Sequence, residues 1–465
     1  MSSEFYLKKI YRCTVEDIDI YFKYNNTVIY STAETTIVSN ENGRYKARIL
    51  ELVSMNYIED YDSGQDGMRY CRPEILTAQD IISFFTGNPI TVYNEINSCF
   101  SMIEKYDHVQ RNTTLIIEGK DYTNQLVELI RKMQKEEELI ISLLDRWRKA
   151  NYLRSESCDA NLYHDESILS YFHIIELFAE NFNTEFKNML DNNVEKLLNT
   201  YYSDNFFYNE NQIIGKVNSL REVIREMLVG RELSLAQKIK YFLKKYKLLD
   251  DNVSYFIDSS IKVRNSIAHG RIAYRKKVTY PLPPFFYLAN NSYEILEFLN
   301  FLTARMISVY IGIECWKQEW EEAKTFLMPP EYILNNFLKD TSTFEEINKN
   351  NLCVGNPKNI TWRTIFNHYI ENPKKFNINR IANALKEYFI NTEIIEENYI
   401  DLLNISVVLS DCNDSDAKEK AIYNIKCIIE QGLSNRSELR DLNRYLDSYN
   451  VASDWCTKFL GNRNI

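Results

Sequence analysis

The residues best suited to chemistry lie in one short run, Arg264-Asn265-Ser266-Ile267-Ala268-His269-Gly270. On a helix, Val253, Ile257, Ile261 and Ala268 run down one apolar stripe, and Arg264 falls seven residues after Ile257, inside that stripe. A guanidinium placed on a core-facing side is costly to bury alone and asks for a carboxylate or a phosphate. Asn265 and His269 sit four apart on the adjoining polar face, with His269 in the last turn, where unsatisfied carbonyls favour an imidazolium. A histidine that titrates near neutrality, beside an arginine and an amide, suits proton transfer and the stabilisation of phosphoryl charge.

Other chemistries lack their signatures. The chain has only five histidines, and H-E-x-x-H, H-x-E with C-x-x-C, and G-x-S-x-G are all absent, which removes the usual marks of zinc peptidases, zinc deaminases and serine hydrolases. None of the twelve glycines forms G-x-G-x-x-G or the phosphate-binding G-x4-G-K-[ST]. The run Asp411-Cys-Asn-Asp-Ser-Asp416 lacks the sixth-position Gly and twelfth-position Glu of a calcium loop and reads as an N-cap-rich turn. Arg363-Thr-Ile-Phe-Asn-His368 repeats the Arg-to-His spacing without the Asn-Ser pair or the terminal Gly, and serves as an internal control.

The elements that must position the motif are helical. Gly and Pro make up about 5% of 465 residues, against about 12% in average usage, so long uninterrupted elements are expected. Ser234-Leu-Ala-Gln237 is a capping box opening a helix with Leu235, Ile239, Phe242, Leu243 and Tyr246 on one face. Asp250-Asp251 offers an N-cap for the next helix, Asn252 to His269, which Gly270 stops in the left-handed conformation. Further helices are expected as one long amphipathic span from Asp121 to Leu153, from Ser167 to Leu190, from Gln212 to Leu228, and over Asn291 to Leu327. Between Phe5 and Ile75 four β-like stretches separated by Asn-Asn, Asn-Gly and Ser-Gly-Gln-Asp-Gly turn signals predict a small β module. Thr77 then opens a short helix through Phe85, and TTLIIEG, ending at Gly119, is one more strand. YPLPPFF, Tyr280 to Phe286, reads as a loop, and the tail from Glu331 as polar and helical.

A hydrophobic fraction of 45% with 26% charged residues describes a globular chain. Its start, MSSEFYLKK, has no export pattern, and no apolar stretch reaches membrane-spanning length, so a cytoplasmic protein with no membrane partner is expected. Nine scattered cysteines without C-x-x-C predict neither a disulfide framework nor a zinc ribbon. The net charge of −10 opposes nonspecific wrapping of nucleic acid, yet Gln237 to Lys277 holds eleven basic residues against three acidic ones.

RNSIAHG resembles the R-x4-6-H motif of the HEPN superfamily, in its Apea-like branch. The context is similar: an earlier helix with Tyr171-Phe-His-Ile-Ile-Glu176-Leu-Phe, a helix pair leading into the motif, and a final helix from Asn291. The resemblance covers His164 to Leu327, with both flanks outside it, and implies a HEPN-type helical bundle core there; together with the flanking patterns the expected fold is mainly α, with a small β-containing N-terminal module and a helical C-terminal region. The corresponding segments are 1–120 (β-containing module), 121–160 (connecting helix), 161–328 (HEPN-like domain) and 329–465 (C-terminal helices).

What the resemblance implies for function is a metal-independent endoribonuclease, with no cofactor and no metal. Two protomers of a homodimer would bring both motifs to one cleft. His269 would act as general acid or base on the ribose 2′-hydroxyl and Arg264 would stabilise phosphorane-like charge, leaving a 2′,3′-cyclic phosphate. Asn265 matches the polar residue that follows the arginine. Glu176 matches an acidic position read either as an orienting partner of Arg264 or as a structural ion pair. The basic stretch then reads as an RNA-facing surface through Lys262, Arg271, Arg275, Lys276 and Lys277. The substrate would be RNA, with tRNA a candidate, the role that of a toxin or antiviral defence effector, and the flanking regions would hold a sensor or inhibitor partner. The alternative is a noncatalytic HEPN-like adaptor binding RNA or a protein.

Overall fold

A computed structural model describes residues 5–15, 17–40, 43–58, 64–90, 95–103, 111–156, 162–227, 233–270, 280 and 292–461. The protein is mainly helical, with a small N-terminal antiparallel sheet. It divides into two compact units: Met1–Asp159, Glu166–Val229 and Leu299–Gln318 form the first, and Ala160–Asp165, Gly230–Phe298 and Glu319–Ile465 the second. The expected segments 1–120 and 121–160 thus fall almost wholly in the first unit and 329–465 in the second, while 161–328 contributes to both.

In the first unit the four expected β stretches form Phe5–Val15, Ile18–Tyr24, Thr27–Asn40 and Gly43–Ile58. Tyr24 pairs with Thr27 across Asn25, whose φ of 49° is one that asparagine tolerates, so the Asn-Asn signal is a tight hairpin turn. Ile117 pairs with Lys120 across Glu118 and Gly119, both at positive φ. The strand Glu95–Ile103, which the sequence pattern does not announce, pairs with the first strand and forms one edge of the seven-stranded sheet.

The helix packed on this sheet begins earlier than expected. It runs Gly64–Thr86, through Pro73, so the Ser-Gly-Gln-Asp-Gly signal leads into a helix rather than marking a turn. Thr77 does not cap it; its hydroxyl donates to the Pro73 carbonyl one turn back. Burial of Ile75, Ala78, Ile81, Ile82, Phe84 and Phe85 outweighs the bond that Pro73 cannot make.

Three expected helices are broken. The span from Asp121 is two helices, Thr123–Met133 and Glu137–Glu156: the polar run Gln134-Lys-Glu136 has nothing to bury, and Glu136 instead takes hydrogen bonds from Lys132 and Tyr310. Ser167 to Leu190 lies in His164–Asn181 and Asn183–Phe206, interrupted at Phe182, and Gln212 onward in Glu210–Arg225. Asn291 to Leu327 becomes Ser292–Ile311 and Lys317–Lys324, because Gly312 takes φ 95° and ends the first as a left-handed stop. The buried Arg305 then donates to the Ile313 and Cys315 carbonyls that the break exposes.

In the second unit Ser234 and Gln237 exchange the two bonds of a capping box at Leu235–Lys245, with Ile239, Phe242 and Leu243 buried. Asp250 caps Asp251–Ala268 by accepting from Val253 N–H at 2.9 Å. Seven helices, Glu331–Lys339, Trp362–Glu371, Ile378–Asn391, Tyr399–Leu409, Ser415–Glu430, Arg436–Ser448 and Asp454–Gly461, close around Phe337, Trp362, Leu385, Phe389 and Leu402. The tail is helical as expected, but its polar appearance conceals a large apolar core. Asp414 in the Asp411–Asp416 run accepts from the N–H groups of Asp416 and Ala417, the N-cap turn expected there.

Candidate functional site

Asp251–Ala268 carries the motif at its C-terminal end. Val253, Phe256, Ile257 and Ser260 are buried, Ile261 is half-buried and Ala268 exposed. The core stripe therefore weakens towards the motif, and Arg264, expected on the core-facing side, is half-buried with its Nε enclosed. The seven-residue extrapolation presumes a neighbour as long as the helix itself. Leu235–Lys245, packed against it, has 11 residues against its 18, a difference of about 10 Å at 1.5 Å per residue.

Arg264 donates from a terminal guanidinium nitrogen to Asn265 Oδ1 at 3.2 Å. The His269 backbone N–H donates to the Asn265 carbonyl at 3.0 Å, and Gly270, at φ 75°, donates to Ile267 O at 3.0 Å. Gly270 is thus the left-handed stop the sequence announces. The terminus leaves His269 as the C-cap with its imidazole exposed and, among the described residues, without a hydrogen-bond partner. Arg264, Asn265 and His269 share one helix end, with the guanidinium turned to the amide rather than to the imidazole. Glu176 is half-buried on His164–Asn181 and belongs to the first unit, whereas Arg264 belongs to the second.

Lys262 is exposed; burial and the Glu331 charge push the Glu371 carboxyl up, and the Lys262 charge pulls against them. Arg271, Arg275, Lys276 and Lys277 lie outside the described residues, as does most of the Tyr280 to Phe286 loop. Part of the basic surplus is neutralised within the unit: Lys240 pairs with both oxygens of Asp258, at 2.7 and 2.8 Å.

The C-terminal helices also hold the motif helix in place, which its sequence did not signal. Tyr332 donates to Asp251 Oδ2 at 3.0 Å, and the Tyr255 ring lies 6.4 Å from that of His368. His368, of the control pair Arg363 and His368, is buried, with Nε2–H donating to the Pro329 carbonyl at 2.8 Å, while Arg363 pairs with Glu294. The same spacing thus gives a structural histidine here and an exposed one at 269.

Burial holds His368 below its ordinary value of 6.5, with the Pro329 bond and Glu331 pulling the other way. A histidine kept neutral in the folded chain contributes stability fully above the unfolded value, and that contribution falls away as pH drops towards the folded one. His368→Gln, which retains a donor for Pro329, is expected to flatten the decline in melting temperature from about pH 7 to about pH 5. An unchanged slope in a thermal denaturation series would refute this.

Among the described residues no helix is long and apolar enough to cross a membrane. No family model, curated protein or solved structure matches the chain.

Proposed function

We propose that the chain is a HEPN-type endoribonuclease in which Arg264, Asn265 and His269 form the reactive end of the helix Asp251–Ala268. The observation that carries this reading is the exposed imidazole of His269, without a partner among the described residues, at a glycine-stopped helix end, one turn from an amide held by a guanidinium. The ribose 2′-oxygen attacks the adjacent phosphorus, the 5′-oxygen departs, and a 2′,3′-cyclic phosphate remains. One proton leaves the 2′-hydroxyl and one is delivered to the leaving oxygen, and an imidazole does each job. A guanidinium beside the phosphate offsets the charge that accumulates on its oxygens.

Each chain supplies one such histidine, so the reaction as written calls for two chains. Sedimentation at micromolar concentration is expected to give a homodimer, and a monomer under those conditions would remove the paired-site mechanism. The activity itself is tested by incubating RNA with the full chain in EDTA beside His269→Ala, with tRNA and mRNA as separate substrates. Binding of RNA that survives both His269→Ala and Arg264→Ala with no cleavage by any form would favour the adaptor reading.

A further inference from the structure

The helices Asn183–Phe206 and Glu210–Arg225 of the first unit pack on each other around a small core of Val194, Leu198 and Val217, with Tyr202, Ile213, Leu220 and Ile224 against it. That core uses only part of their apolar surface. Seven of the nineteen large apolar side chains that stand exposed among the described residues fall between Leu197 and Met227, 31 of the chain's 465 positions, so the exposure is concentrated rather than scattered.

The spacing shows where this surface points. On the first helix Leu190, Val194, Leu197 and Tyr201 follow at intervals of four, three and four, and Lys216, Leu220, Val223 and Met227 repeat the pattern on the second, the heptad spacing of a seam that meets another helix. Arg221 pairs with Glu195 at 3.0 Å and closes one flank of this helical hairpin. Leu197 and Val223 each come two residues later, about 200° around the helix, and so both open on the other flank. There Leu197 is 69%, Tyr201 49%, Val223 54% and Met227 62% exposed, against 7% for Val194. Apolar arcs this wide need a second layer of helices to cover them.

Counted from the Glu195–Arg221 pair along the two antiparallel helices, Leu190 is level with Met227, Val194 with Val223, Leu197 with Leu220 and Tyr201 with Lys216, each to within one residue. The face is therefore self-complementary: a two-fold axis along the hairpin lays the first helix of one copy over the second helix of another, with the same levels meeting. Charge favours this pairing over first helix on first helix, because the first carries four acidic and two basic residues and the second two acidic and three basic. It also sets Lys216 opposite the Tyr201 ring of the other copy.

We propose that this face docks on the same face of a second copy, closing a four-helix bundle. The shorter helix has 16 residues, so the face is about 24 Å long and about 20 Å across two helices, and the two copies together bury roughly 1,000 Å². That is the least a specific interface needs, and a dissociation constant near micromolar is expected. The proposal does not rest on the cleavage reading, although it supplies the two chains which that reading calls for.

Sedimentation of the full chain across about 0.1–100 μM tests it. Leu197→Glu and Val223→Lys, each at an exposed position, are expected to weaken self-association about tenfold or more at an unchanged melting temperature. An equimolar mixture of the two variants should regain dimers, because the new acid of one copy then meets the new base of the other. Ile214→Glu, at a position 57% exposed but seven residues before Arg221 and hence on the ion-paired flank, should self-associate as wild type does. Wild type that stays monomeric throughout, or a variant mixture that does, would overturn the proposal. Dimers that survive both substitutions would overturn it too, and would leave the paired-site mechanism standing.

Discussion

His269→Ala is expected to cut RNA cleavage by about 10²–10⁴-fold, the usual contribution of a positioned acid or base, while leaving the melting temperature within about a degree or two. The two halves rest on separate observations. The imidazole is exposed and has no partner among the described residues, so its removal leaves no cavity and no orphaned group. The cap bonds at this terminus are made by the backbones of His269 and Gly270, which alanine preserves. Arg264→Lys is expected to fail nearly as badly, because one ammonium cannot bond Asn265 and also present a fork to a phosphate. Gel analysis of a labelled RNA in EDTA, with the product ends assayed for cyclic phosphate, reads both. Equal cleavage by wild type and His269→Ala would end the catalytic assignment, and cleavage retained only in the presence of a divalent metal would end the mechanism.

What could be read directly from residues was local. Ser234 with Gln237, Asp250, Gly270, and the Asn25 and Glu118-Gly119 turns each settle a boundary within four residues, and each is found where its residue types put it. The breaks at Glu136 and Gly312 were not legible, because they are settled at a distance: Glu136 finds Tyr310, and the carbonyls beyond Gly312 find Arg305. A regular apolar pattern shows that a face will be covered and leaves the extent of the cover unstated, so the half-buried state of Arg264 could not be read from it. The motif was visible because its residues are adjacent in the chain.

Arg148→Met is expected to destabilise the chain by about 3–5 kcal/mol at about pH 8, the cost of stripping one member from a buried pair. Asp80 and Arg148 are 2% and 7% exposed and 2.5 Å apart, and the guanidinium also donates to Gln79 Oε1, the Ile90 carbonyl and Asp145. Burial pushes the Asp80 carboxyl up to about 7 from an ordinary 3.8, Arg148 pulling it down and Asp145 adding to the rise. A carboxyl raised on folding keeps its full stabilising share below the unfolded value and loses it as pH climbs through the folded one. Without Arg148 the folded value rises further, and since both folded chains keep Asp80 protonated below about pH 7, the penalty of the variant should be level from about pH 4 to about pH 7 and grow above it. Near pH 4 Asp80 is protonated and only the neutral acceptors Gln79 and Ile90 lack their donor, a residual cost of about 1–3 kcal/mol for each group left unsatisfied. Asp80→Leu in the Arg148→Met background removes the charge altogether and should restore, at about pH 8, the part of the loss that exceeds this residual cost. Urea midpoints across this range test the account: a penalty that does not vary with pH, or a double variant no more stable than Arg148→Met, would show that packing of the arginine stem and not the buried charge sets the cost.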